Sequence, residues 1–269
     1  MTFPRRTVRE TVTIEGRGLH TGVPVCLRVH PGEAGVALRY GSTRTLAHPS
    51  NVTDTTRSTR IGEIGTVEHV MSTFAGLEIT DVEVELDAPE MPALDGSSAP
   101  LVGALLATGL VEVGALQLPP LFTRVFLQED NGTKLAIAKG TGQWRYVFTS
   151  PGRWPEEQVF ELEDVVEGYP SEVAPSRTFA FAEEVPLLIQ AGMAKGLDET
   201  SALILGIEGY KNLPRFPDEP ARHKLLDLIG DLYLAGVPIR ALSVVAERSG
   251  HRANVKAAAM LAEAMARAA

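Results

Sequence analysis

The feature that most constrains this chain is a segment at residues 222–231 that combines a helical pattern with two potential metal ligands. Its apolar residues recur at the three- and four-residue spacing of one helix face. His223 and Asp227 are four residues apart, so a helix would place them side by side. Imidazole and carboxylate are both zinc ligands, and a third ligand from elsewhere would leave one tetrahedral position open, as in catalytic zinc sites. A solvated or locally paired helix face would give the same spacing.

The charge and the cysteine content exclude several classes of protein. The formal net charge is −9 and there is no basic run, which argues against a dedicated nucleic-acid binder. Cys26 is the only cysteine, so an intrachain disulfide and a cysteine-rich zinc site are both impossible. The chain has neither a signal-peptide pattern nor an apolar run of about 18 residues. We therefore expect a cytoplasmic protein, monomeric by default, whose partner is a small-molecule substrate, with no nucleic acid and no integral membrane segment.

The first part of the chain is predicted to contain both strands and helices. Alternating apolar and polar residues, rich in Val, Ile and Thr, predict strands at residues 11–15, 23–29, 36–40 and 81–86. Helices are predicted at residues 66–76 and 99–108. Thr66 is expected to cap the first of these helices, and Gly76 is expected to follow its end.

The pattern breaks around residues 116–120, where we place a domain boundary. Residues 150–176 have an irregular, acidic pattern. The elements expected beyond the break are strands at 122–128, 134–139, 144–149 and 239–247, and helices at 181–191, 218–236 and 253–268. No internal repeat is visible in the sequence. We therefore predict an α+β fold with an N-terminal domain at residues 1–117 and a C-terminal domain at residues 118–269.

Two more of the six histidines lie at predicted junctions between elements. His69 directly follows Glu68 at the start of a predicted helix, and His251 lies in a Ser-Gly-His sequence between a strand and a helix. Loops at strand–helix junctions often carry functional side chains. Taken alone, a Glu-His dipeptide is usually a surface feature, and His251 is no more specific.

Five short sequences gain specificity because they occur together. They are Val67-Glu68-His69, Leu94-Asp95-Gly96-Ser97, Ser176-Arg177-Thr178-Phe179, the helix that carries His223, and Ser249-Gly250-His251. This series resembles the UDP-3-O-acyl-N-acetylglucosamine deacetylases of lipid A biosynthesis over nearly the whole chain. The resemblance implies two domains of similar layered topology, packed face to face as a β-α-α-β sandwich, each with a small insert. One insert would border the active site, and the other, at residues 186–194, would form an apolar passage for an acyl chain, although an ordinary amphipathic helix would show the same sequence pattern.

The resemblance also implies a reaction and a cofactor. The reaction is hydrolysis of the 2-acetamido group of UDP-3-O-acyl-N-acetylglucosamine, which gives UDP-3-O-acyl-glucosamine and acetate. The ligands of the zinc ion would be His69, His223 and Asp227, in agreement with the open three-ligand site that the helical spacing indicates. The same ligands would also suit Fe²⁺ or Co²⁺.

The same resemblance assigns roles to the remaining candidates. Glu68 would be the general base, and His251 would stabilise the oxyanion and protonate the leaving amine. Asp231 would keep His251 charged, although a solvated helix residue would fit the same pattern. Thr178 would donate a hydrogen bond to the oxyanion. The residues that contact the substrate would be Lys224 and Phe179.

Two segments depart from the pattern of that family. Residues 194–201 lack the Gly-Gly-Ser-like run of the second insert, and residues 150–154 replace a segment that contains His-Pro. Both departures lie in parts that would hold the substrate, so they leave open the length and position of its acyl chain and the identity of its sugar. They affect the expected metal chemistry less. Two alternatives therefore stay open. One is a related zinc deacetylase that acts on a different N-acetyl sugar nucleotide, and the other is a catalytically silent homologue that binds sugar nucleotides.

Overall fold

The protein consists of two halves that each combine sheet and helix, which confirms the predicted α+β class. The structure is a computed structural model that describes residues 1–119 and 124–268. Within residues 1–119 the elements are β1 (Thr2–Val8), β2 (Val12–Arg17), β3 (Pro24–Pro31), β4 (Val36–Tyr40), β5 (Thr43–Leu46), β6 (Val52–Asp54), β7 (Arg60–Ile61), α1 (Glu68–Gly76), β8 (Val82–Leu86), α2 (Ala99–Thr108) and β9 (Leu110–Gln117).

The second half continues with seven further strands and four further helices in residues 124–268. They are β10 (Val125–Gln128), β11 (Lys134–Lys139), β12 (Trp144–Thr149), β13 (Glu157–Leu162), α3 (Val165–Gly168), β14 (Phe179–Phe181), α4 (Val185–Gln190), β15 (Leu203–Leu205), α5 (Glu219–Tyr233), β16 (Leu242–Glu247) and α6 (His251–Ala268). Among the helices of these two ranges, none combines the length and the apolar character that a bilayer crossing requires.

The two halves share one topology. The first five-stranded sheet has the order β2-β3-β8-β4-β5, and the second has the order β10-β11-β16-β12-β13. The central strands β8 and β16 each have one antiparallel and one parallel neighbour, at equivalent places. One helix precedes the central strand in each half, α1 or α5, and another follows it, α2 or α6. The fold is therefore duplicated although the sequence shows no repeat, because a sheet layer requires a pattern of burial and not particular residues.

Each half also carries a small additional sheet at an equivalent point. The pair β6–β7 lies between β5 and α1, and the pair β14–β15 lies between β13 and α5. We call these two segments, residues 47–67 and 163–218, the first insert and the second insert. Their positions agree with the two inserts that the family resemblance implies.

Helices α1 and α5 meet at the centre of the molecule. Every residue of α1 is buried, and one apolar core extends over both halves. At Gly230 of α5, an added Cβ would lie 2.0 Å from the carbonyl oxygen of Glu68. This distance is far shorter than van der Waals contact, so only glycine allows the two backbones to approach so closely. The contact places Glu68 and His69 of the first half directly beside α5 of the second half.

Both ends of α1 differ from the prediction. Thr66 does not cap the helix: its φ is +60°, and its hydroxyl donates a hydrogen bond to Glu90 at 3.2 Å. Gly76 is the last residue of the helix instead of the residue after it. A Cβ at Gly76 would lie 2.1 Å from Cδ1 of Tyr169. The reason for glycine at this position is therefore its close packing against Tyr169, and not a turn of the backbone.

Two predictions in the second insert and the strand before it were wrong. Residues 150–176 are not irregular throughout, because β13 pairs antiparallel with β12. This strand is at the edge of its sheet, where outward charged side chains hide the apolar alternation. The helix predicted at 181–191 is shorter, since α4 covers only Val185–Gln190. Residues 182–184 form a turn, and Phe181 is the last residue of β14, which pairs with the distant β15.

Three smaller differences concern strands. Residues Ile239–Ala241 form a 3₁₀ turn after Pro238, so the strand predicted from residue 239 begins at Leu242. The strand predicted at 122–128 is present from Val125, while residues 122 and 123, like Pro120 of the predicted break, lie outside the described residues. The pairing of β1 with β9 was not predicted, because it joins residues more than a hundred positions apart.

The contact at Gly230 leads to a stability prediction. Gly230→Ala should destabilise the protein by about 1–3 kcal/mol, since α1 and α5 must separate to accommodate the new methyl group. Gly103→Ala in α2 is the matched control: a Cβ at Gly103 meets nothing within 4 Å. It should stabilise by about 0.5–1 kcal/mol through helix propensity. Urea unfolding of both variants measures the difference, and equal stabilities would contradict the close contact.

Candidate active site

The structure brings all nine of the candidate residues together at one cavity of about 950 Å³, which both halves line. Asp231 is fully buried behind the wall of this cavity and contacts His251. The other eight candidates are among the residues that line the cavity: Glu68, His69, Thr178, Phe179, His223, Lys224, Asp227 and His251. The cavity is therefore the candidate active site.

Three side chains converge as a candidate metal site. His69 is the second residue of α1, and His223 and Asp227 lie one turn apart on α5. Their ligand atoms lie within 4.8 Å of one another. Oδ1 of Asp227 is 3.4 Å from Nε2 of His223 and 3.7 Å from Nε2 of His69. Two imidazoles and one carboxylate thus face a common point beside a cavity, which is the donor set of a three-ligand catalytic metal site.

The protonation states of these side chains suit a cation. Burial and the neighbouring His223 lower the pKa of His69 to about 3, and burial also lowers the pKa of His223. Nδ1 of His223 lies 3.2 Å from the carbonyl oxygen of Ser176, which can only accept, so Nδ1 carries the proton and Nε2 is free. Burial opposes ionisation of Asp227, but the positive charges of Lys224 and His251 hold its pKa well below the usual range. Neutral imidazoles and an ionised carboxylate fit a divalent metal ion.

A second group of three could also hold a metal ion by distance alone. Glu68, Asp227 and His251 have ligand atoms within 4.8 Å of one another. Burial lowers the pKa of His251, but the charges of Asp231 and Glu68 outweigh it and raise this pKa to about 9. A protonated imidazole has no lone pair to give to a metal. The site formed by His69, His223 and Asp227 is therefore the better candidate.

Glu68 is a buried carboxylate at the first residue of α1. Its Oε2 accepts a hydrogen bond of 2.9 Å from the backbone N–H of Thr59, and its Oε1 lies 4.0 Å from Nε2 of His251. Burial raises the pKa of Glu68, His251 opposes that effect, and the nearby charges of Asp231 and Asp227 add to it, which gives a pKa of about 7. A cation bound beside Glu68 would favour its ionised form. This carboxylate is poised to accept a proton near neutral pH.

His251 begins α6 and is held by Asp231. Nδ1 of His251 lies 3.0 Å from Oδ2 of Asp231, which also accepts from Nδ2 of Asn254 at 3.0 Å. Oδ1 of Asp231 accepts from the hydroxyl of Thr59 at 2.5 Å. A positive imidazole at a helix N-terminus is unfavourable without compensation. The fully buried Asp231 supplies that compensation, so the alternative of a solvated helix residue is wrong for this carboxylate.

The three remaining candidates also line the cavity. Nζ of Lys224 lies 2.7 Å from Oδ2 of Asp227; burial alone would lower the pKa of this lysine, but Asp227 raises it to about 12. The ring of Phe179 packs edge-on against His223, with 6.0 Å between the ring centroids. Thr178 is anchored by its backbone, whose N–H donates to the carbonyl oxygen of Gly96 at 2.8 Å. Lys224 therefore both lines the cavity and forms an ion pair with Asp227, a candidate metal ligand.

Two further residues contact this site and were not predicted from the sequence, Thr59 and Asn254. Asn254 lies three positions after His251 in α6, so the helical spacing was a usable signal for it. Thr59 lies in a polar loop with no periodic pattern, and nothing in the sequence distinguishes it from its neighbours.

One wall of the cavity is apolar and comes mainly from the second insert. Its side chains are Val185, Leu188, Ile189, Leu197 and Ile204. The charged and polar residues described above line the same cavity. The cavity can therefore accept a ligand with one polar and one apolar end. A metal site, a carboxylate with a pKa near neutrality and a protonated imidazole beside each other are the components of a hydrolytic site.

Comparison with known proteins agrees with this geometry. The family model described as UDP-3-O-acyl N-acetylglycosamine deacetylase matches residues 5–263. Curated proteins named UDP-3-O-acyl-N-acetylglucosamine deacetylase are similar over most of their length. The one from Myxococcus xanthus is 33% identical over 94% of this chain and 85% of its own. The one from Synechocystis is 33% identical over 96% and 98%, and the one from Haemophilus influenzae is 32% identical over 94% and 88%. This chain therefore belongs to the UDP-3-O-acyl N-acetylglycosamine deacetylase family.

Proposed function

We propose that this protein hydrolyses the 2-acetamido group of UDP-3-O-acyl-N-acetylglucosamine and releases acetate and UDP-3-O-acyl-glucosamine. The observation that carries the proposal is the shared cavity in which a His2Asp metal site, Glu68 and His251 lie side by side. The names of the relatives supply the substrate, and the amphipathic cavity is compatible with a sugar nucleotide that bears an acyl chain.

Zinc is the proposed metal, held by His69, His223 and Asp227. When bound, it supplies Lewis acidity, which polarises the amide carbonyl and acidifies water. The ammonium group of Lys224 pairs with Oδ2 of Asp227, whereas Oδ1 of Asp227 faces the two histidines. Lys224 therefore offsets part of the negative charge of this carboxylate. Because the two imidazoles are neutral and the carboxylate is ionised, no proton has to be displaced for a cation to bind near neutral pH.

Glu68 and His251 divide the proton transfers between them. Glu68 removes a proton from the attacking water as the new C–O bond forms to the acetamido carbon. His251, protonated because of Asp231, donates its Nε2 proton to the sugar nitrogen as the C–N bond breaks. The electron pair of that bond remains on the nitrogen, which leaves as the amine. The hydroxyl of Thr178 donates a hydrogen bond to the developing oxyanion.

The polar and apolar parts of the substrate would occupy different parts of the cavity. Lys224 and Phe179 contact the sugar nucleotide, the first by charge and the second through its ring face. The acyl chain lies along the apolar wall of the second insert. We further propose that the halves are separate domains, residues 1–117 and 118–269, so that the cavity lies at a domain interface, where ligand sites often form.

The role of Glu68 can be tested by Glu68→Gln, which keeps the size of the side chain and its hydrogen bond from Thr59. We expect kcat for acetate release to fall by about a hundred- to ten-thousandfold. Bound zinc, measured by mass spectrometry, should stay near one per chain. Glu63→Gln, at an exposed residue of the first insert five positions before Glu68, is the control and should leave both unchanged. Normal turnover by Glu68→Gln would refute the assignment of the base.

The acyl specificity can be tested with UDP-3-O-acyl-N-acetylglucosamine and UDP-N-acetylglucosamine as competing substrates. We expect a preference of at least about a hundredfold in kcat/KM for the acylated one, because each buried methylene contributes about 0.8 kcal/mol. Leu188→Asp, on the apolar wall, should reduce this preference. Leu187→Asp, next to it in α4 but 66% exposed and away from the cavity, should not.

Each other outcome of this comparison points to a different function. Equal rates for the two substrates would favour a deacetylase for another N-acetyl sugar nucleotide. Binding of the sugar nucleotide by the zinc-loaded protein with no product after long incubation would favour a silent homologue.

A further inference from the structure

Thr59 is the residue that joins the two acidic groups of the site. It lies in the first insert, directly before β7, and its side chain and backbone are fully buried. Its N–H donates to Oε2 of Glu68 at 2.9 Å, and its hydroxyl donates to Oδ1 of Asp231 at 2.5 Å. A backbone N–H can only donate, and an ionised carboxylate such as that of Asp231 can only accept, so the direction of both hydrogen bonds is fixed. One residue thus holds the base of one half and the acidic partner of His251 in the other half.

Thr59 also determines which oxygen of each carboxylate stays available. With Oε2 of Glu68 bound to Thr59, Oε1 is the oxygen near Nε2 of His251, at 4.0 Å. With Oδ1 of Asp231 bound to the Thr59 hydroxyl, Oδ2 is left for Nδ1 of His251 and for Asn254, each at 3.0 Å. The two contacts therefore set the rotation of both carboxylates around the same imidazole.

The backbone of Thr59 is itself anchored to the start of α1. Its carbonyl oxygen accepts from the N–H of Val67 at 3.1 Å, one residue before Glu68. The loop, the base and the imidazole partner consequently form one hydrogen-bonded unit that crosses from the first half to the second. Networks of this kind in a buried site restrict geometry to a degree that isolated side chains do not.

We propose that Thr59 is a positioning residue that aligns Glu68 and His251 for proton transfer, through its hydroxyl on Asp231 and its N–H on Glu68. This inference rests on the proposed deacetylase function, in which Glu68 and His251 are base and acid. Thr59 does not contact the cavity, so it acts only through these two carboxylates. Its two contacts can be separated, because replacing the side chain removes the contact with Asp231 and leaves the N–H contact with Glu68 intact.

The test compares Thr59→Val, which keeps the shape but loses the hydroxyl, with Thr59→Ser, which keeps the hydroxyl. For Thr59→Val we expect kcat to fall about tenfold or more, with KM changed by less than about twofold, since alignment affects the transition state and not ground-state binding. Thr59→Ser should retain at least about half of kcat. Thr7→Val is the control, because Thr7 is also buried with a hydrogen-bonded hydroxyl but lies in β1, away from the site.

A double-mutant cycle separates positioning from a general loss of stability. If Thr59 acts through Asp231, Thr59→Val should cost little further activity in an Asp231→Asn background. If the losses of kcat in Thr59→Val and Asp231→Asn multiply in the double variant, the inference is overturned. A fall of kcat in Thr59→Ser as large as that in Thr59→Val would also overturn it. Unchanged kcat in Thr59→Val would overturn it as well.

A spectroscopic readout keeps the inference testable if the proposed function fails. The Nδ1 proton of His251, assigned by its loss in His251→Gln, should be visible by NMR in the wild-type protein because Asp231 holds it. It should shift or broaden in Thr59→Val and persist in Thr59→Ser and Thr7→Val. Absence of acetate release by the wild type would refute the deacetylase function alone. An unchanged proton signal in Thr59→Val would refute the positioning role alone.

Discussion

The approach of α1 to α5 at Gly230 is the contact on which the rest of this structure depends. A hydrogen in place of a side chain lets the Glu68 carbonyl pack directly on α5. Neither helix alone carries a complete site: α1 supplies Glu68 and His69, and α5 supplies His223, Asp227 and Asp231. The duplicated topology puts equivalent helices at the centre of both halves, so the site forms where the two copies meet. Any separation of the backbones would pull Glu68 and His69 away from His223 and Asp227.

Burial at this junction has opposite consequences for neighbouring groups. Desolvation favours the neutral form of each side chain, which raises the pKa of Glu68 to about 7 and lowers that of His69 to about 3. Burial would also lower the pKa of His251, but the negative charges of Asp231 and Glu68 outweigh burial and raise this pKa to about 9. One environment thus gives three neighbouring side chains the protonation states that the proposed roles of base, neutral ligand and acid require. The assignment of roles follows from which charged partner each group has.

The sequence predicted those parts of the site that lie on one regular element. His223 and Asp227 are four residues apart, and α5 places them side by side. The contributions of Glu68, His69 and Asp231 came from resemblance to a family, because helical spacing alone says nothing of a partner on another element. Thr59 was missed since its contacts reach residues 9 and 172 positions away. The pairings of β1 with β9 and of β14 with β15 were missed for the same reason. Local patterns indicate elements, whereas tertiary packing decides which elements meet.

The most direct test of this account is the position of zinc in crystals of the zinc-loaded protein, located by anomalous X-ray scattering. The account predicts one strong peak about 2.0–2.2 Å from Nε2 of His69, Nε2 of His223 and a carboxylate oxygen of Asp227. Glu68 and His251 would then be free to transfer protons. A peak bound instead by Glu68, Asp227 and His251, the other group close enough to hold a metal, would contradict the account. It would remove both the base and the acid from the proposed mechanism.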